Sequence, residues 1–209
     1  MKVAVVAANG KAGQLIVKEA IAQGLDVTAI VRHTNHSLAQ KVIEKDLFDL
    51  TRDDLAGFDA VVDAFGAWTP ETLPLHSSSL NHLCDALSGT KVRLLVVGGA
   101  GSLYTDKTHT LQLVDTPNFP DAFKPLATAM GEALTALRTR CDVNWTYISP
   151  AADFQAEGTR TGSYILAGEE LTLNSRGESV ISYADFALAL VDEIVKGSHI
   201  KKRISVVRK

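Results

Sequence analysis

The sequence has few cysteines, few aromatic residues and little excess charge. Its 209 residues include two cysteines, Cys84 and Cys141, and aromatic side chains make up 6%. The two cysteines fit no metal-binding or redox spacing, so we expect reduced, structural thiols in a cytoplasmic protein. The net charge of −3 gives no electrostatic footprint for a nucleic acid or for an acidic membrane.

Long hydrophobic runs are also missing from the sequence. No stretch of about 18 apolar residues could form a membrane span. Because the chain enters an apolar, strand-like run at residue 3, we expect no leader segment. The basic stretch 201–203, with Arg208 and Lys209, is interpreted as a solvated surface patch. His33 and His36 lie in a turn-rich stretch without further ligands, so no metal site is predicted.

The composition is that of an ordinary globular protein, with 46% hydrophobic and 22% charged residues. The length is enough for one well-filled domain, and we expect a single domain over 1–209. The chain opens with an apolar run at 3–6, then a turn-prone stretch, AANGKAG at 7–13, and then apolar residues at helical spacing. This order predicts a buried parallel strand, a tight turn and a helix. A plain strand-to-helix turn without a ligand is the alternative.

Strand-like and helix-like runs continue to alternate as far as Pro150. The predicted strands are 3–6, 27–31, 42–43, 60–64, 93–97 and 144–148, and the longer predicted helices are 11–23, 77–87 and 124–140. This alternation predicts an α/β protein with a doubly wound parallel sheet. Beyond Pro150 we expect strands at 164–166, 171–173 and 203–207, and a helix that begins after Ser182, all in a small C-terminal lobe over about 151–209.

In open parallel sheets, ligands bind at the carboxyl ends of the strands. A helix N-terminus at that edge suits a dinucleotide pyrophosphate. The predicted cofactor-binding residues all follow strand ends: Ala8, Asn9, Gly10, Lys11, Ala12, Gly13, Arg32, His33, Asp46, Leu47, Ala64, Phe65, Gly66, Gly98, Gly99, Ser149, Pro150 and Ala151. Arg32 stands where the adenosine ribose should pass, so we expect a charge-assisted pair with the 2′-phosphate of NADP and a preference for NADPH over NADH. A surface arginine without this role is the alternative.

Later motifs carry a family resemblance over essentially the whole chain. They are VVGGAGSLY at 96–104, YISPAADF at 147–154, RTGSY at 160–164 and GESVISYADFALALVDEI at 177–194. With AANGKAG, they make the chain similar to the NmrA-like group of atypical short-chain dehydrogenases. Within that group it most resembles small bacterial proteins assigned as NAD(P)H-flavin reductases, related to biliverdin-IXβ/flavin reductase. The resemblance implies a Rossmann fold that binds NADP at the positions named above. Ala7 stands where the family usually has glycine.

The Tyr-x-x-x-Lys pair of alcohol-oxidising short-chain dehydrogenases is absent from the sequence. The residues four positions after Tyr104, Tyr147, Tyr164 and Tyr183 are Thr, Ala, Gly and Ala. Reduction of a flavin by a nicotinamide requires little acid–base help, since the cofactors carry the chemistry. We therefore predict hydride transfer from NADPH to a flavin or a similar flat acceptor. The alternative is a non-catalytic NADP-binding redox sensor of the NmrA type.

Four further residues are candidates for contact with a substrate. Ser102 and Tyr104 could polarise a substrate or could only form loop hydrogen bonds, and the sequence leaves both readings open. Trp68 and Phe154 could stack on a flat substrate or could fill an internal interface. The segment 103–121 is long for a loop, which indicates a functional or disordered segment. The only predicted partner is a small-molecule substrate, and the sequence does not indicate an oligomeric state.

Overall fold

Strands and helices alternate through the first two-thirds of the chain in the computed structural model, which describes residues 1–209. The strands are β1 Lys2–Val6, β2 Asp26–Val31, β3 Lys41–Glu44, β4 Ala60–Asp63, β5 Arg93–Val97, β6 Asn144–Ser149, β7 Asp153–Gln155, β8 Tyr164–Ala167, β9 Val180–Ser182 and β10 Lys202–Arg208. The helices are α1 Lys11–Ala22, α2 Arg52–Leu55, α3 Leu75–Leu87, α4 Lys124–Arg138 and α5 Tyr183–Lys196. No helix combines the length and the apolar surface that crossing a bilayer requires.

Eight strands form one twisted sheet in the order β3-β2-β1-β4-β5-β6-β10-β8. Seven of them run parallel, and only β8, at one edge, lies antiparallel to its neighbour β10. The chain winds outward from β1 in one direction through β2 and β3, and in the other from β4 onward. The predicted doubly wound sheet is thus confirmed, and its topological switch point lies between β1 and β4.

Alternate residues of each strand fill two hydrophobic cores on opposite faces of the sheet. Val3 and Val5 of β1 face α1 and α5, while Ala4 and Val6 face α3 and α4. Because parallel strands are buried on both faces, they are apolar nearly throughout, as the run at 3–6 is. The predicted helix at 11–23 is confirmed as α1, and Gly24, with φ +77°, follows its end.

The chain after Pro150 does more than cap the sheet. Strands β8 and β10 extend the main sheet, α5 packs beside α1, and the short strands β7 and β9 pair with each other. The strand predicted at 171–173 is wrong: Leu171 N–H donates to Tyr104 O at 2.8 Å, but no ladder continues, and Leu173 is exposed. An alternating Leu-Thr-Leu pattern had no partner strand to pair with. The boundary of the proposed lobe near residue 151 stays a prediction.

The basic stretch at 201–203 is also not wholly a solvated patch. Lys201 and Lys202 are exposed, but the side chain of Arg203 is fully buried within β10. Lys201 precedes β10 and Lys202 is its first residue, whereas Arg203 lies within the strand, which is buried on both faces from 203 to 207. The buried guanidinium lies under the candidate site.

Candidate functional site

The turn between β1 and α1 is tight and involves an alanine in an unusual backbone conformation. Ala7 has φ +57°, in the left-handed region, and its carbonyl accepts a hydrogen bond from Gly10 N–H at 3.0 Å. Glycine, which the resemblance implies at this position, adopts this conformation without steric cost. Gly10 is the N-cap residue of α1 in an extended conformation and provides no side-chain cap.

The beginning of α1 leaves its backbone donors free for a ligand. The first N–H groups of an α-helix have no partner within the helix. Here no side chain caps them, and the first turn contains no acidic residue. The positive end of the helix dipole therefore faces the carboxyl edge of the sheet with no acid in the first turn of the helix. This arrangement fits a dinucleotide pyrophosphate.

Gly13 brings α1 close to the end of β1. A Cβ added at this position would lie 2.6 Å from Ala7 O and 2.9 Å from Ala8 Cα. Both contacts are with backbone, which cannot move aside easily. A glycine at this place in the pattern serves the close packing of helix on strand.

The end of β2 presents two exposed side chains. Arg32 and His33 are solvent-exposed, and neither side chain forms a hydrogen bond or ion pair within the protein. The side chain of Asn9, in contrast, is turned toward the loop that follows them and contacts its backbone. The side chain of Lys11 points toward the chain's later half, where it pairs with Glu157 at 3.1 Å.

The ends of β3 and β4 lie on either side of this turn in the sheet. Asp46 accepts a hydrogen bond from Phe48 N–H at 2.9 Å, which caps a short 3₁₀ turn that begins at the buried Leu47. Ala64 N–H donates to Val6 O at 3.2 Å, so the end of β4 meets the end of β1. These predicted residues therefore share one edge, on both sides of the switch point.

The end of β4 also contains a buried acid that the sequence reasoning missed. Asp63 lines a cavity of about 20 Å³ with Phe65, His76 and Tyr147. Burial raises the pKa of Asp63 to about 6, although a hydrogen bond from Phe65 N–H opposes this shift. Burial lowers the pKa of His76, whose Nε2 lies 3.0 Å from Ala67 O. The available signal was an acid, Asp63, with apolar residues on both sides in the sequence VVDAF at 61–65.

The ends of β5 and β6 are joined through Tyr147. Gly98 lies against the Tyr147 ring, where an added Cβ would be 2.2 Å from the nearest ring atom, and Gly99 lies against the flexible side chain of Met130. The Tyr147 hydroxyl accepts from Gly99 N–H at 3.1 Å, and burial raises the pKa of Tyr147 to about 12. This tyrosine is therefore a neutral structural group. The predicted residues Ser149, Pro150 and Ala151 lie beside it at the end of β6 and are buried.

The buried side chain of Arg203 contacts two predicted site residues, Ser102 and Ser149. Its Nη1 donates to Ser102 Oγ at 3.4 Å and to Ser149 Oγ at 3.5 Å, and its Nε donates to Glu169 Oε2 at 2.9 Å. Ser102 is only 8% exposed. The structure thus shows the loop hydrogen bond that was the alternative for Ser102, while a role toward substrate stays a prediction.

Tyr104 begins an ordered loop rather than a disordered one. Its ring stacks on His109 with centroids 4.5 Å apart, and His109 Nε2 lies 2.7 Å from Glu170 Oε1. Tyr104 also exchanges backbone hydrogen bonds with residues 169 and 171. Its hydroxyl has no hydrogen-bond partner within the protein.

The two aromatic candidates occupy different environments. Trp68 is 70% exposed and covers Gly66 beside the end of β4. Phe154 packs against Tyr183, with centroids 3.9 Å apart, and against Phe186 at 4.9 Å. Trp68 is therefore free to contact a ligand, whereas most of the Phe154 ring is already used in internal packing.

An uncapped helix end at the switch point of a parallel sheet is the arrangement with which doubly wound proteins bind nucleotide phosphates. The chain belongs to the NAD(P)H-binding family, which it matches over residues 7–195. The membership expected from the motifs is confirmed. The family relation covers the turn, all the strand ends described above and most of α5.

Individual relatives are similar over their full lengths. The uncharacterized protein YwnB of Bacillus subtilis (strain 168) is 46% identical over 210 aligned positions, which cover 99% of this chain and 98% of YwnB. The structure of SP1627 from Streptococcus pneumoniae TIGR4, a candidate NADH-flavin reductase, is 60% identical, with 100% of both chains covered and a TM-score of 0.98. A candidate epimerase from Bacteroides thetaiotaomicron is 32% identical, with 99% and 96% covered and a TM-score of 0.86.

Proposed function

We propose that the protein is a reductase that transfers hydride from NADPH to a flavin or a similar flat conjugated acceptor. At the level of class it is an NAD(P)H-dependent oxidoreductase, in line with its family and with the NADH-flavin reductase description of its 60% identical relative. The observation that carries the proposal is the free N-terminus of α1 at the switch point, with an unpaired Arg32 at the end of the neighbouring strand. Two free cysteines agree with a reducing, cytoplasmic setting.

The preference for NADPH rests on Arg32. An exposed guanidinium without an internal partner loses no existing contact when it pairs with a phosphate, and it can do so in a bidentate way. NADH presents only a hydroxyl at this point. A charge-assisted hydrogen bond contributes about 1.5–3 kcal/mol, so NADPH should bind roughly 10- to 150-fold more tightly than NADH.

The test of this preference is a titration of both coenzymes by calorimetry at low salt. Arg32→Ala should weaken NADPH toward the affinity of NADH, with NADH itself nearly unchanged. Lys18→Ala is the control, because it removes one exposed positive charge from α1 that forms no hydrogen bond or ion pair. Raised salt should also reduce the advantage of NADPH. Equal dissociation constants in the parent protein would show that Arg32 is only a surface residue.

The chain's own groups are suited to positioning more than to acid–base catalysis. When bound, the nicotinamide supplies the hydride, and the protein has to orient it and exclude water. Tyr147 is buried and hydrogen-bonded to the backbone, and Ser102 is held by Arg203. Neither contact indicates a group prepared to donate a proton to substrate.

Two conservative substitutions test this assignment. Ser102→Ala and Tyr104→Phe should each lower flavin turnover by much less than the ~10²-fold that marks the loss of a general acid. The measurement is nicotinamide absorbance at saturating NADPH. A loss of ~10²-fold or more in either variant, with NADPH affinity intact, would identify a catalytic side chain and contradict the proposal.

A sensor remains the second candidate, and the absence of the Tyr-x-x-x-Lys pair favours it. Purified protein mixed with NADPH and a panel of flavins and quinones separates the two functions. Oxidation of NADPH in proportion to protein concentration supports the reductase. Tight NADPH binding without oxidation by any acceptor would favour the sensor.

A further inference from the structure

Asn9 connects the turn after β1 to the loop after β2. Its side-chain Nδ2 donates to Thr34 O at 2.9 Å, and its Oδ1 accepts from His36 N–H at 2.7 Å. Both ends of the amide are therefore used, and both partners are backbone groups of the loop 33–39. We call this pair of contacts the Asn9 bridge.

The loop held by the bridge has internal order of its own. Asn35 Nδ2 donates to Ala39 O at 2.9 Å, and Asn35 Oδ1 accepts from Ser37 N–H at 2.9 Å. The loop can therefore keep its shape without Asn9. What it gains from the bridge is a fixed position relative to the turn at 7–13, since these contacts join segments 25 and 27 residues apart in sequence.

Arg32 stands at the point where this loop leaves β2. Its backbone is fixed on one side by the strand and on the other by the Asn9 bridge, while its side chain is free. The turn at 7–13 would hold the pyrophosphate, and Arg32 would meet the ribose of the same molecule. The distance between the two contacts must match the span from the ribose to the pyrophosphate of one molecule, and a bridge between their segments sets that distance.

We propose that Asn9 is a positioning residue for coenzyme choice, whose amide bridge to Thr34 and His36 places Arg32 for the 2′-phosphate. The proposal rests on the NADPH preference proposed above. The side chain of Asn9 would act on the loop and not on the coenzyme. The sequence predicts that Asn9 contacts the cofactor, and under this proposal its backbone, not its side chain, makes that contact.

The test compares dissociation constants for NADPH and NADH in the parent, Asn9→Ala, Arg32→Ala and the double variant. Asn9→Ala should reduce the NADPH:NADH preference roughly 5- to 50-fold, because Arg32 loses its fixed position and with it much of a charge-assisted contact. In the Arg32→Ala background, Asn9→Ala should change the remaining preference by less than about twofold.

A matched control and a second measurement keep the test decisive. Gln14→Ala removes a side chain that contacts Asn9 O at 2.8 Å but not the loop, so it should leave the preference unchanged. Amide hydrogen exchange should become faster at His36 in Asn9→Ala, because that N–H loses its acceptor. If Asn9→Ala does not fold, Asn9→Ser, whose hydroxyl is too short to span both contacts, takes its place in the same titrations.

The outcomes separate the two proposals. A parent protein without any NADPH preference would overturn the proposed coenzyme, and with it the role of Asn9. A parent that prefers NADPH through Arg32, with Asn9→Ala equally selective, would overturn the role of Asn9 alone. Equal weakening of NADH and NADPH by Asn9→Ala would also overturn it, because that result indicates only a structural role.

Discussion

The N-termini of α1 and α5 lie in helices that pack against each other, yet they are built in opposite ways. In α5, Ser182 Oγ caps the helix by accepting from Asp185 N–H at 3.0 Å, and Asp185 adds an acid to the first turn. In α1 the N-cap is Gly10, and the first turn has neither a cap nor an acid. The helix that closes its own end is structural, and the helix that leaves its end open faces the carboxyl edge of the sheet.

Asp185 also shows what a carboxylate at a helix start achieves when the chain supplies the donors. It accepts from Thr161 N–H at 2.9 Å, from Thr161 Oγ1 at 2.8 Å and from Gly162 N–H at 2.9 Å. These contacts fix the segment that Arg160 then attaches to Glu19 of α1 at 3.1 Å. An anion at the start of α1 would meet a similar set of donors, but it has to come from outside the chain.

Removal of the internal anion should have the largest effect on stability. Asp185→Ala removes a buried carboxylate that accepts hydrogen bonds from Thr161 and Gly162, two exposed residues, and a hydrogen bond to a charged group contributes about 1.5–3 kcal/mol. Allowing for partial replacement by water, we expect a loss of about 2–4 kcal/mol in the free energy of unfolding by urea. Asp185→Asn keeps an acceptor oxygen and should lose less. Equal losses in the two variants would mean that the carboxyl group is not the anchor.

A methyl group at Gly13 should be the next most damaging change. The Cβ would meet backbone of residues 7 and 8 at 2.6 and 2.9 Å, so the helix or the strand has to shift. Overpacking of this kind costs about 1–3 kcal/mol. Gly131→Ala in α4 is the matched control, since its Cβ would lie 3.8 Å from Ser102 Cβ and alanine is the better helix former. The two variants should change the free energy of unfolding in opposite directions.

An acidic N-cap at the uncapped N-terminus of α1 should affect coenzyme binding more than folding stability. Gly10→Asp would place an acid at the N-cap of α1, where the extended backbone accepts it. We expect a stability change within about 0.5 kcal/mol and a loss of NADPH affinity of at least about tenfold, because the acid repels the pyrophosphate. Gly10→Ala adds the same Cβ, 3.3 Å from Ala7 O, without the charge. If Gly10→Asp bound NADPH as tightly as Gly10→Ala, the site would lie elsewhere.

The contrast also explains which parts of the fold could be read from the sequence. The helix at 11–23 is long enough to show a helical period, and most of the main strands are continuous apolar runs. Gly24 and Ser182 mark helix ends by local chemistry. Strands β7 and β9 have three residues each, too few for a pattern. The strand predicted at 171–173 had the pattern but no partner, and pairing is a non-local property.

For the candidate site, the sequence predicts where residues lie in the sheet better than it predicts which atoms they contact. Strand ends in a parallel sheet converge whatever their side chains, so Arg32 and Gly98 could be placed at one edge. The burial of Arg203 beneath Ser102, or the direction of the Asn9 amide, depends on segments far away in sequence. In the sequence, the basic run at 201–203 does not indicate a buried arginine, and an asparagine in a turn does not indicate the direction of its side chain.

The smallest expected effect concerns Ala7, the residue that departs from the glycine pattern. A left-handed conformation costs an L-residue roughly 1–2 kcal/mol, while glycine loses about 0.5–1 kcal/mol more backbone entropy on folding than alanine. Ala7→Gly should therefore raise the free energy of unfolding by about 0.5–1 kcal/mol. Gly24→Ala is the inverse control. Gly24 has φ +77°, and an added Cβ would meet nothing within 4 Å, so backbone strain alone should lower the stability of this variant.

The same substitution at Ala7 should have little effect on binding. Since the turn already has the required shape, Ala7→Gly should leave the NADPH dissociation constant within about threefold. A larger gain in affinity would show that the Ala7 methyl group obstructs the pyrophosphate.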